Sequence, residues 1–373
     1  MELMHEKNRR PEVVKVAVFR LELLPLSETF IRDQVDHYES FSPVLFGAYA
    51  TAGESLARGD ERVLYDLSRR GDRWALALAQ LTGVAPRVKK ALASSGVRLV
   101  HAHFVKDAWF VHRAARSLGL PLVVTAHGYD VTALPRSWVY RLRARWVLSR
   151  AHTVAVSEFI AGCARRVGAT DVQVCYTGIS LNEVESSPSE PKEELLSSDV
   201  LCVARLVEKK GVDVVVAAAR LLPDVSFVIA GDGPLWDQLH RDCPKNVRFI
   251  GAVSQVQVRE LLARTKVFVL PSRTASNGDA EGFGQVFLEA GRAARACVGT
   301  WHGGIPEAVV DGVTGVLVPE SDASALAQAL GTVLDDADLR EQLGAAGFAR
   351  VRDHFDMRDR TAHLESLYQQ WIN

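Results

Sequence analysis

A segment in the second half of the chain, VARLVEKKG, carries residues suited to binding a phosphorylated ligand. Arg205 ends a predicted strand, and Lys210 and Gly211 stand just before a predicted helix. A helix N-terminus offers backbone N–H groups to an anion, and the two cations add positive charge, so the segment suits a diphosphate. The alternative is a solvated turn in which the lysines extend into water.

A second segment, AEGFGQVFLEA, places two carboxylates on either side of the start of a predicted helix. Glu281 precedes a Gly-Phe-Gly turn, and Glu289 lies within the apolar helix. A buried carboxylate needs a partner, and the two vicinal hydroxyls of a ribose would satisfy both its oxygens. Gly282 and Gly284 would let backbone amides approach a ligand closely. The alternative places Glu289 on the solvent face of an amphipathic helix.

A third segment, LVVTAHGYD, lies in the first half of the chain and runs from an apolar strand directly into His127. A histidine at a strand tip can hydrogen-bond a sugar or polarise a reacting group. His101 and His103 end a neighbouring predicted strand and line either a cleft or the core; a third ligand is missing, so we expect no metal. Ser27 is expected to cap the following helix or to line the cleft.

Two further loops follow predicted strands of the second half. They are Gly231–Pro234 (GDGP) and Gly303–Glu307 (GGIPE). Each is compatible with a simple tight turn, but ligands of parallel sheets bind beyond the carboxyl ends of strands. Both loops are therefore candidates for the ligand site.

The elements that position these residues alternate between short β-branched runs and longer runs of helical period. Predicted strands of the first half are Val13–Phe19, Arg98–Ala102, Leu122–Ala126, His152–Val156 and Val172–Tyr176, with helices at Trp74–Ser94 and Ala108–Leu118. After a polar segment at Glu185–Glu194 the alternation restarts. This pattern predicts an α/β protein with two doubly wound parallel-sheet domains that face each other across a cleft.

The resulting domain boundaries are a first domain over 1–184, a linker over 185–198 and a second domain over 199–355. A last helix over 356–373 is expected to close the chain and to pack back on the first domain.

Composition excludes several classes of protein. The chain has 373 residues, a net charge of −1 and 48% hydrophobic residues, which fits two globular domains and gives no sign of a nucleic-acid partner. The five cysteines are scattered and form no C-x-x-C pair, so we expect reduced thiols and a cytoplasmic protein. Neither a nucleotide-binding G-x-G-x-x-G after the first strand nor a P-loop is present.

Together these motifs resemble the retaining glycosyltransferases of family 4, which have the GT-B fold of two facing Rossmann-like domains. The R-x4-K-G element at Arg205, the GDGP loop, the E-x7-E element from Glu281 and GGIPE occur in the family's order and spacing. The resemblance covers most of the chain and is strongest over Leu201–Leu317, and TAHGYD matches as well. The segment SETFI resembles the corresponding segment of a branch of the family that assembles exopolysaccharides and other cell-surface sugars.

The resemblance implies roles for individual residues. Arg205 and Lys210 would hold the diphosphate of a UDP- or GDP-sugar donor, and Glu289 would bind the ribose. Donor-site contacts would also come from Gly231, Gly233, Val253, Glu281, Gly282, Phe283 and Gly284. His127 would contact the donor sugar near its anomeric centre. The reaction would proceed on one face of the sugar without a cofactor or metal, and the departing phosphate would help to deprotonate the acceptor.

The acceptor site is expected in the first domain, lined by Ser27, Thr29, His103 and Asp130. The acceptor itself stays open among a sugar, a lipid-linked molecule and a small molecule, in polysaccharide, glycolipid or natural-product glycoside synthesis. The stretch 136–150 contains five arginines and three large aromatic residues. It is either a packed helix with a solvated arginine face or a contact with the inner face of a membrane.

Two other functions remain open from the sequence, a GT-B-like sugar-nucleotide epimerase or hydrolase and a non-catalytic two-lobed sugar-binding protein. The first would need more acid/base carboxylates than Glu281, and the second a secretion signal that we do not find. Replacing Glu281 or His127 by alanine should reduce turnover strongly while folding persists.

Overall fold

The protein consists of two parallel sheets, each covered by helices on both faces. The computed structural model describes residues 13–25, 28–50, 55–181, 197–241 and 243–373. The first sheet has seven strands in the order β3-β2-β1-β4-β5-β6-β7, and the second has six in the order β10-β9-β8-β11-β12-β13. All pairings within both sheets are parallel. The predicted doubly wound α/β class is confirmed.

The elements of the first domain alternate along the chain as the sequence predicts. They are β1 (Val14–Leu23), α1 (Thr29–Asp36), β2 (Phe41–Ala50), β3 (Arg62–Val63), α2 (Arg70–Thr82), α3 (Pro86–Ser95), β4 (Val97–His103), α4 (Val105–Ser117), β5 (Leu122–Ala126), α5 (Tyr129–Thr132), α6 (Trp138–Leu148), β6 (His152–Ala155), α7 (Glu158–Val167) and β7 (Asp171–Val174).

The second domain repeats this organisation and ends in three helices. Its elements are β8 (Ser198–Val203), α8 (Val212–Leu221), β9 (Phe227–Ala230), α9 (Trp236–Arg241), β10 (Val247–Phe249), α10 (Gln255–Ala263), β11 (Thr265–Val269), α11 (Gln285–Arg292), β12 (Ala296–Thr300), α12 (Ile305–Ala308), β13 (Gly315–Val318), α13 (Ala323–Asp335), α14 (Ala337–His354) and α15 (Met357–Ile372).

The predicted single helix over Trp74–Ser94 is wrong, because the structure has two helices there. Gly83 ends α2 in a left-handed conformation at φ 70°, and Pro86 begins α3. A side chain at Gly83 would meet the imidazole of His112, so both the turn and the packing require glycine. The strand β2 was not predicted, because Pro43 and Gly47 interrupt its apolar pattern.

The helix α15 returns from the second domain to the first. Its Tyr368 hydroxyl lies 2.5 Å from Nδ1 of His101 and 2.7 Å from the Tyr38 hydroxyl. The Glu365 carboxylate accepts backbone N–H groups at the start of β2. Residues 182–196, which include most of the predicted linker over 185–198, lie outside the described residues.

Candidate functional site

The candidate site lies where the carboxyl ends of the two sheets face each other. Strand order reverses between β1 and β4 in the first sheet and between β8 and β11 in the second. Ligands of doubly wound sheets bind at such reversal points. The loops that follow β8 and β11 contain the motif that suggested diphosphate binding and the start of the motif that suggested ribose binding, and they bring Lys210 and Glu281 into contact.

A buried ion pair joins these two motifs. Nζ of Lys210 lies 2.5 Å from Oε2 of Glu281, and both side chains are largely buried. Next to it, Nζ of Lys209 lies 3.2 Å from the Asp279 carboxylate. Arg205, two residues after the end of β8, is exposed. The loop after β8 therefore carries three cations, of which Lys209 and Lys210 are held by carboxylates.

Glu281 is fixed from several directions. Burial alone would raise the pKa of its carboxyl, but the Lys210 and Lys209 ammonium groups outweigh burial and lower the pKa to about 2. The backbone N–H of Glu281 donates to Nε2 of His302 at 3.1 Å, and Nδ1 of His302 lies 2.8 Å from the Glu320 carboxylate. Glu281 is therefore an anion whose place is set by backbone and side chain together.

The two domains touch at the glycine next to Glu281. A Cβ atom at Gly282 would lie 2.1 Å from the backbone oxygen of His127, and one at Gly304 would lie 2.2 Å from the oxygen of Gly282. Only glycine allows this stacking of three backbone segments. The histidine of the first domain and the acidic loop of the second are thus neighbours, as the cleft prediction requires.

His127 is held at the tip of β5 by its own turn. The Asp130 carboxylate accepts the backbone N–H groups of His127, Gly128 and Val105 at 3.0–3.2 Å. The imidazole of His127 stacks on His103, with Nε2 3.1 Å from Nδ1 of His103. Burial, then the Arg20 charge, lowers the pKa of His127 well below its ordinary value, so the ring is neutral.

The four residues expected to line the acceptor site differ in position and burial. Thr29 begins α1 and is half-buried, and the next ring, Phe30, lies 5.0 Å from that of His127. His103 and Asp130 are almost fully buried and both contact His127, His103 through its imidazole and Asp130 through the backbone N–H of His127. Contact of these two residues with an acceptor stays a prediction. Ser27 lies outside the described residues.

Glu289 does not lie on a freely solvated face of α11. It lines a cavity of about 240 Å³ together with Leu181, Arg259 and Arg292. Burial raises the pKa of the Glu289 carboxyl to about 7, although Arg292 and a hydrogen bond from Gln255 act in the opposite direction. A carboxyl in this state can accept hydrogen bonds from a ligand once it is ionised.

The remaining predicted donor-site residues lie on the same side of the second sheet. Gly231 and Gly233 follow β9, and a Cβ at either would collide with the backbone of the Arg205 loop, at Ala204 and Leu206 respectively. Val253 is half-buried between β10 and α10. Phe283 is buried with its ring 5.3 Å from that of Tyr176, so its side chain packs and only its backbone can face a ligand. Gly284 directly precedes α11.

Two residues that sequence reasoning missed join the domains beside the site. The hydroxyl of Ser157 donates to the Gly282 oxygen at 2.6 Å and also caps α7. The Glu307 carboxylate of the second domain accepts the backbone N–H groups of Glu158 and Phe159, at 2.7 and 2.9 Å. A carboxylate at a helix N-terminus is stabilising. Glu307 stands in the GGIPE loop, whose place after a strand predicts contact with a ligand but not this contact with α7.

The residues that the structure describes include neither a candidate metal cluster nor a candidate membrane span. No group of three or more His, Cys, Asp or Glu side chains there is arranged to hold a metal ion. None of the helices in that part of the chain is long and apolar enough to cross a bilayer.

Comparison with known proteins supports the resemblance over both domains. Residues 185–350 match the family model described as Glycosyl transferases group 1, and residues 44–183 match Glycosyltransferase Family 4. A GDP-mannose-dependent alpha-(1-6)-phosphatidylinositol monomannoside mannosyltransferase of Mycobacterium tuberculosis is 30% identical over 283 residues, covering 67% of this chain and 72% of that protein. The amylovoran biosynthesis glycosyltransferase AmsK of Erwinia amylovora is 38% identical over 140 residues, about a third of each chain (35% and 34%).

A solved structure agrees on the architecture. Anabaena Alr3699/HepE in complex with UDP and glucose superposes with a TM-score of 0.77, covering 96% of this chain and all (100%) of that one, at 20% identity. The GT-B fold is therefore confirmed. The match to an amylovoran biosynthesis glycosyltransferase agrees with the branch that the SETFI segment resembles. The chain belongs to glycosyltransferase family 4.

Proposed function

We propose that the protein is a retaining glycosyltransferase that transfers a sugar from a nucleoside diphosphate to an acceptor hydroxyl without a metal ion. The observation that carries the proposal is the buried Lys210–Glu281 pair at the reversal point of the second sheet, in contact with the His127 tip of the first. Related proteins use GDP-mannose or are seen with UDP, so both bases are candidates for the donor.

The chemistry would rest on charge and positioning. The Lys210 ammonium and the Arg205 guanidinium would neutralise the diphosphate as the glycosidic bond breaks. Glu281 would keep Lys210 in place, and the backbone N–H groups of Phe283 and Gly284 would contact the donor. Because a nucleoside diphosphate is a good leaving group, one of its oxygens would accept the acceptor's proton on the same face of the sugar.

His127 would contact the donor sugar near the anomeric carbon as a neutral imidazole. Its backbone touches Gly282, so the sugar would lie between the two loops. The acceptor class stays open among a sugar, a lipid-linked molecule and a small molecule. Contact of the stretch 136–150 with a membrane also stays a prediction, although Arg136 donates to the Ser276 oxygen of the second domain and so faces the cleft.

A donor screen tests this proposal. The protein is incubated with UDP- and GDP-sugars, and free nucleotide is detected, with and without EDTA. We expect release with one base, unchanged by EDTA, and a product whose anomeric configuration equals that of the donor. UDP or GDP should also raise the melting temperature. Flat melting curves with both nucleotides, or an inverted product, would contradict the proposal, and sugar interconversion without nucleotide release would indicate an epimerase.

The raised pKa of Glu289 predicts a pH dependence for nucleotide binding. Ribose hydroxyls donate to an ionised carboxylate, so binding should lower the pKa of Glu289 from about 7 and release a proton. Affinity should therefore be full above pH 7 and fall as the pH decreases below it, by at most about tenfold per pH unit. Calorimetry in two buffers of different ionisation enthalpy at pH 6.5 measures the release. Glu289→Gln should abolish it; equal release by this variant would remove Glu289 from the ribose site.

A further inference from the structure

The outward faces of α2 and α6 carry five large apolar side chains that are exposed to solvent. Trp74, Leu78 and Leu81 lie on one face of α2, and Trp138 and Leu142 on one face of α6, since residues three or four apart share a side of a helix. Their exposed fractions run from 59 to 77%. The inward face of α2 is also largely apolar, at Leu76 and Ala79, so this helix is not amphipathic in the usual way.

The two helices form one continuous surface, here called the α2–α6 surface. Arg143 of α6 donates from Nη2 to the Leu81 oxygen at 2.9 Å, at the end of α2. The indole N–H of Trp109 in α4 donates to the Gln80 oxygen at the same distance of 2.9 Å. These contacts tie the end of α2 to its neighbours. Both helices pack against α4 with their buried residues, so their exposed apolar rows lie on the outer side of the same helical layer.

Arginines border this surface. Arg69, Arg70 and Arg73 stand at the start of α2, and Arg141 and Arg145 on α6; all five are exposed. Of the nearby carboxylates, Asp72 pairs with Arg87, and Asp66 pairs with Arg69 and offsets its charge, so the positive border rests on the other four arginines. Exposed apolar side chains bordered by cations match a phospholipid surface, where indoles and leucines enter the acyl boundary and guanidinium groups meet phosphates.

A second copy of the chain fits this surface less well. A two-fold contact sets a surface against itself, which would bring the arginines of one copy towards those of the other. Exposed apolar patches of this kind mark interaction sites, and the charge at the border selects an anionic partner. We propose that the α2–α6 surface binds the protein to an anionic phospholipid bilayer, with Trp74 and Trp138 at the headgroup boundary.

This surface shares α6 with the stretch 136–150 that the sequence suggested, and it extends beyond that stretch to α2. Arg136 bonds the second domain, and Arg150 stacks on Trp146, so two of the five arginines of 136–150 point elsewhere. Helix α2, which carried no prediction of this kind, supplies three of the five apolar side chains. Beside the surface, a groove of about 240 Å³ runs between α4 and α6 and reaches Leu21 of β1. A lipid-bound acceptor would thus meet the strand ends from the membrane side.

Vesicle binding tests the proposal without any assay of sugar transfer. The purified protein is sedimented with two kinds of vesicle. One consists of phosphatidylcholine alone, and the other also contains anionic phosphatidylglycerol, which gives the surface a negative potential. We expect pelleting with the anionic vesicles, weakened by high salt. The double variants Trp74→Ser/Leu81→Ser and Trp138→Ser/Leu142→Ser should each weaken the partition coefficient about tenfold or more.

Two matched variants complete the design. Leu221→Ser removes a leucine that is equally exposed, on α8 of the second domain, and should bind vesicles as the wild type does. Arg70→Gln/Arg141→Gln should lose binding while the fold, checked by its melting curve, stays intact. No pelleting with anionic vesicles, or equal pelleting of wild type and both apolar variants, would overturn the proposal. So would a wild-type dimer in gel filtration that the apolar variants convert to monomer without any lipid binding.

Discussion

Replacing Lys210 by methionine should lower kcat by on the order of 10²–10³-fold and should also destabilise the fold. The ammonium group is the nearest cation to Glu281 and, in the proposed mechanism, to the breaking bond. Its loss removes charge stabilisation of the leaving diphosphate. It also leaves the Glu281 carboxylate buried without its main partner, which costs roughly 3 kcal/mol of the free energy of unfolding.

The double variant Lys210→Met/Glu281→Gln separates these two effects. With no buried carboxylate left, the free energy of unfolding should return to within about 1 kcal/mol of the wild type. Turnover should stay as low as in the single variant, because the diphosphate still lacks its cation. Denaturant unfolding and a nucleotide-release assay on the same preparations measure both quantities.

The neighbouring pair provides the control. Lys209→Met breaks the ion pair with Asp279 at a similar depth and should reduce stability with a much smaller effect on kcat. If the double variant regained turnover, Lys210 would be a structural residue. The pairing also bears on the expectation from the sequence that Glu281→Ala leaves folding intact. That change leaves the Lys210 ammonium group without its carboxylate partner, so the structure favours a loss of stability instead.

The sequence predicted the fold class and the neighbourhood of the site for one physical reason. In parallel sheets every strand ends on the same edge, so motifs that follow β8 and β11 must meet whatever the details of the loops. That is why Lys210 and Glu281, 71 positions apart, could be assigned to one site before any contact was known.

The contacts within the site could not be predicted in the same way. The pairing of Lys210 with Glu281, and the role of Asp130 as an acceptor of three backbone N–H groups, depend on side-chain directions that spacing does not specify. Glu307 and Ser157 carry no local signal for their contacts across the cleft, because their partners are backbone atoms of the other domain. Strand β2 was not predicted for a different reason. The close approach of Leu23 requires glycine at position 47, and this glycine interrupts the apolar pattern of the strand.

The contacts across the cleft show what holds the two domains in this arrangement. Ser157 and Glu307 bond across it, Gly282 packs on the His127 oxygen, and the Arg136 guanidinium bonds the Ser276 oxygen. Each of these contacts is made by polar side-chain atoms or by backbone atoms. Such contacts can be exchanged at modest cost, which suits an enzyme that must admit a donor and release a nucleotide.

Replacing His127 by alanine should lower kcat by about 10²-fold or more, with a smaller change in the affinity for nucleotide alone. The imidazole is positioned by Asp130 and His103 at the tip of β5, where the donor sugar would lie. Because the nucleotide would bind the second domain, UDP or GDP should still raise the melting temperature of the variant. The variant His127→Asn keeps a hydrogen-bond donor at this position and should recover part of the kcat that His127→Ala loses.

The pH profile distinguishes a neutral hydrogen-bonding role of His127 from acid–base catalysis. Burial lowers the pKa of both His127 and His103 well below 6.5, so neither ring titrates between pH 6 and 8. The folded pKa lies below that of an exposed histidine, so these rings stabilise the fold above pH 6.5 and lose that contribution as the pH falls. We therefore expect kcat to show no histidine ionisation between pH 6 and 8.

His152→Ala is the control and should leave kcat unchanged, because His152 begins β6 and the candidate site lies beyond the carboxyl ends of the strands. A limb of kcat near pH 6.5 that disappears in His127→Asn would show instead that His127 exchanges a proton in the reaction.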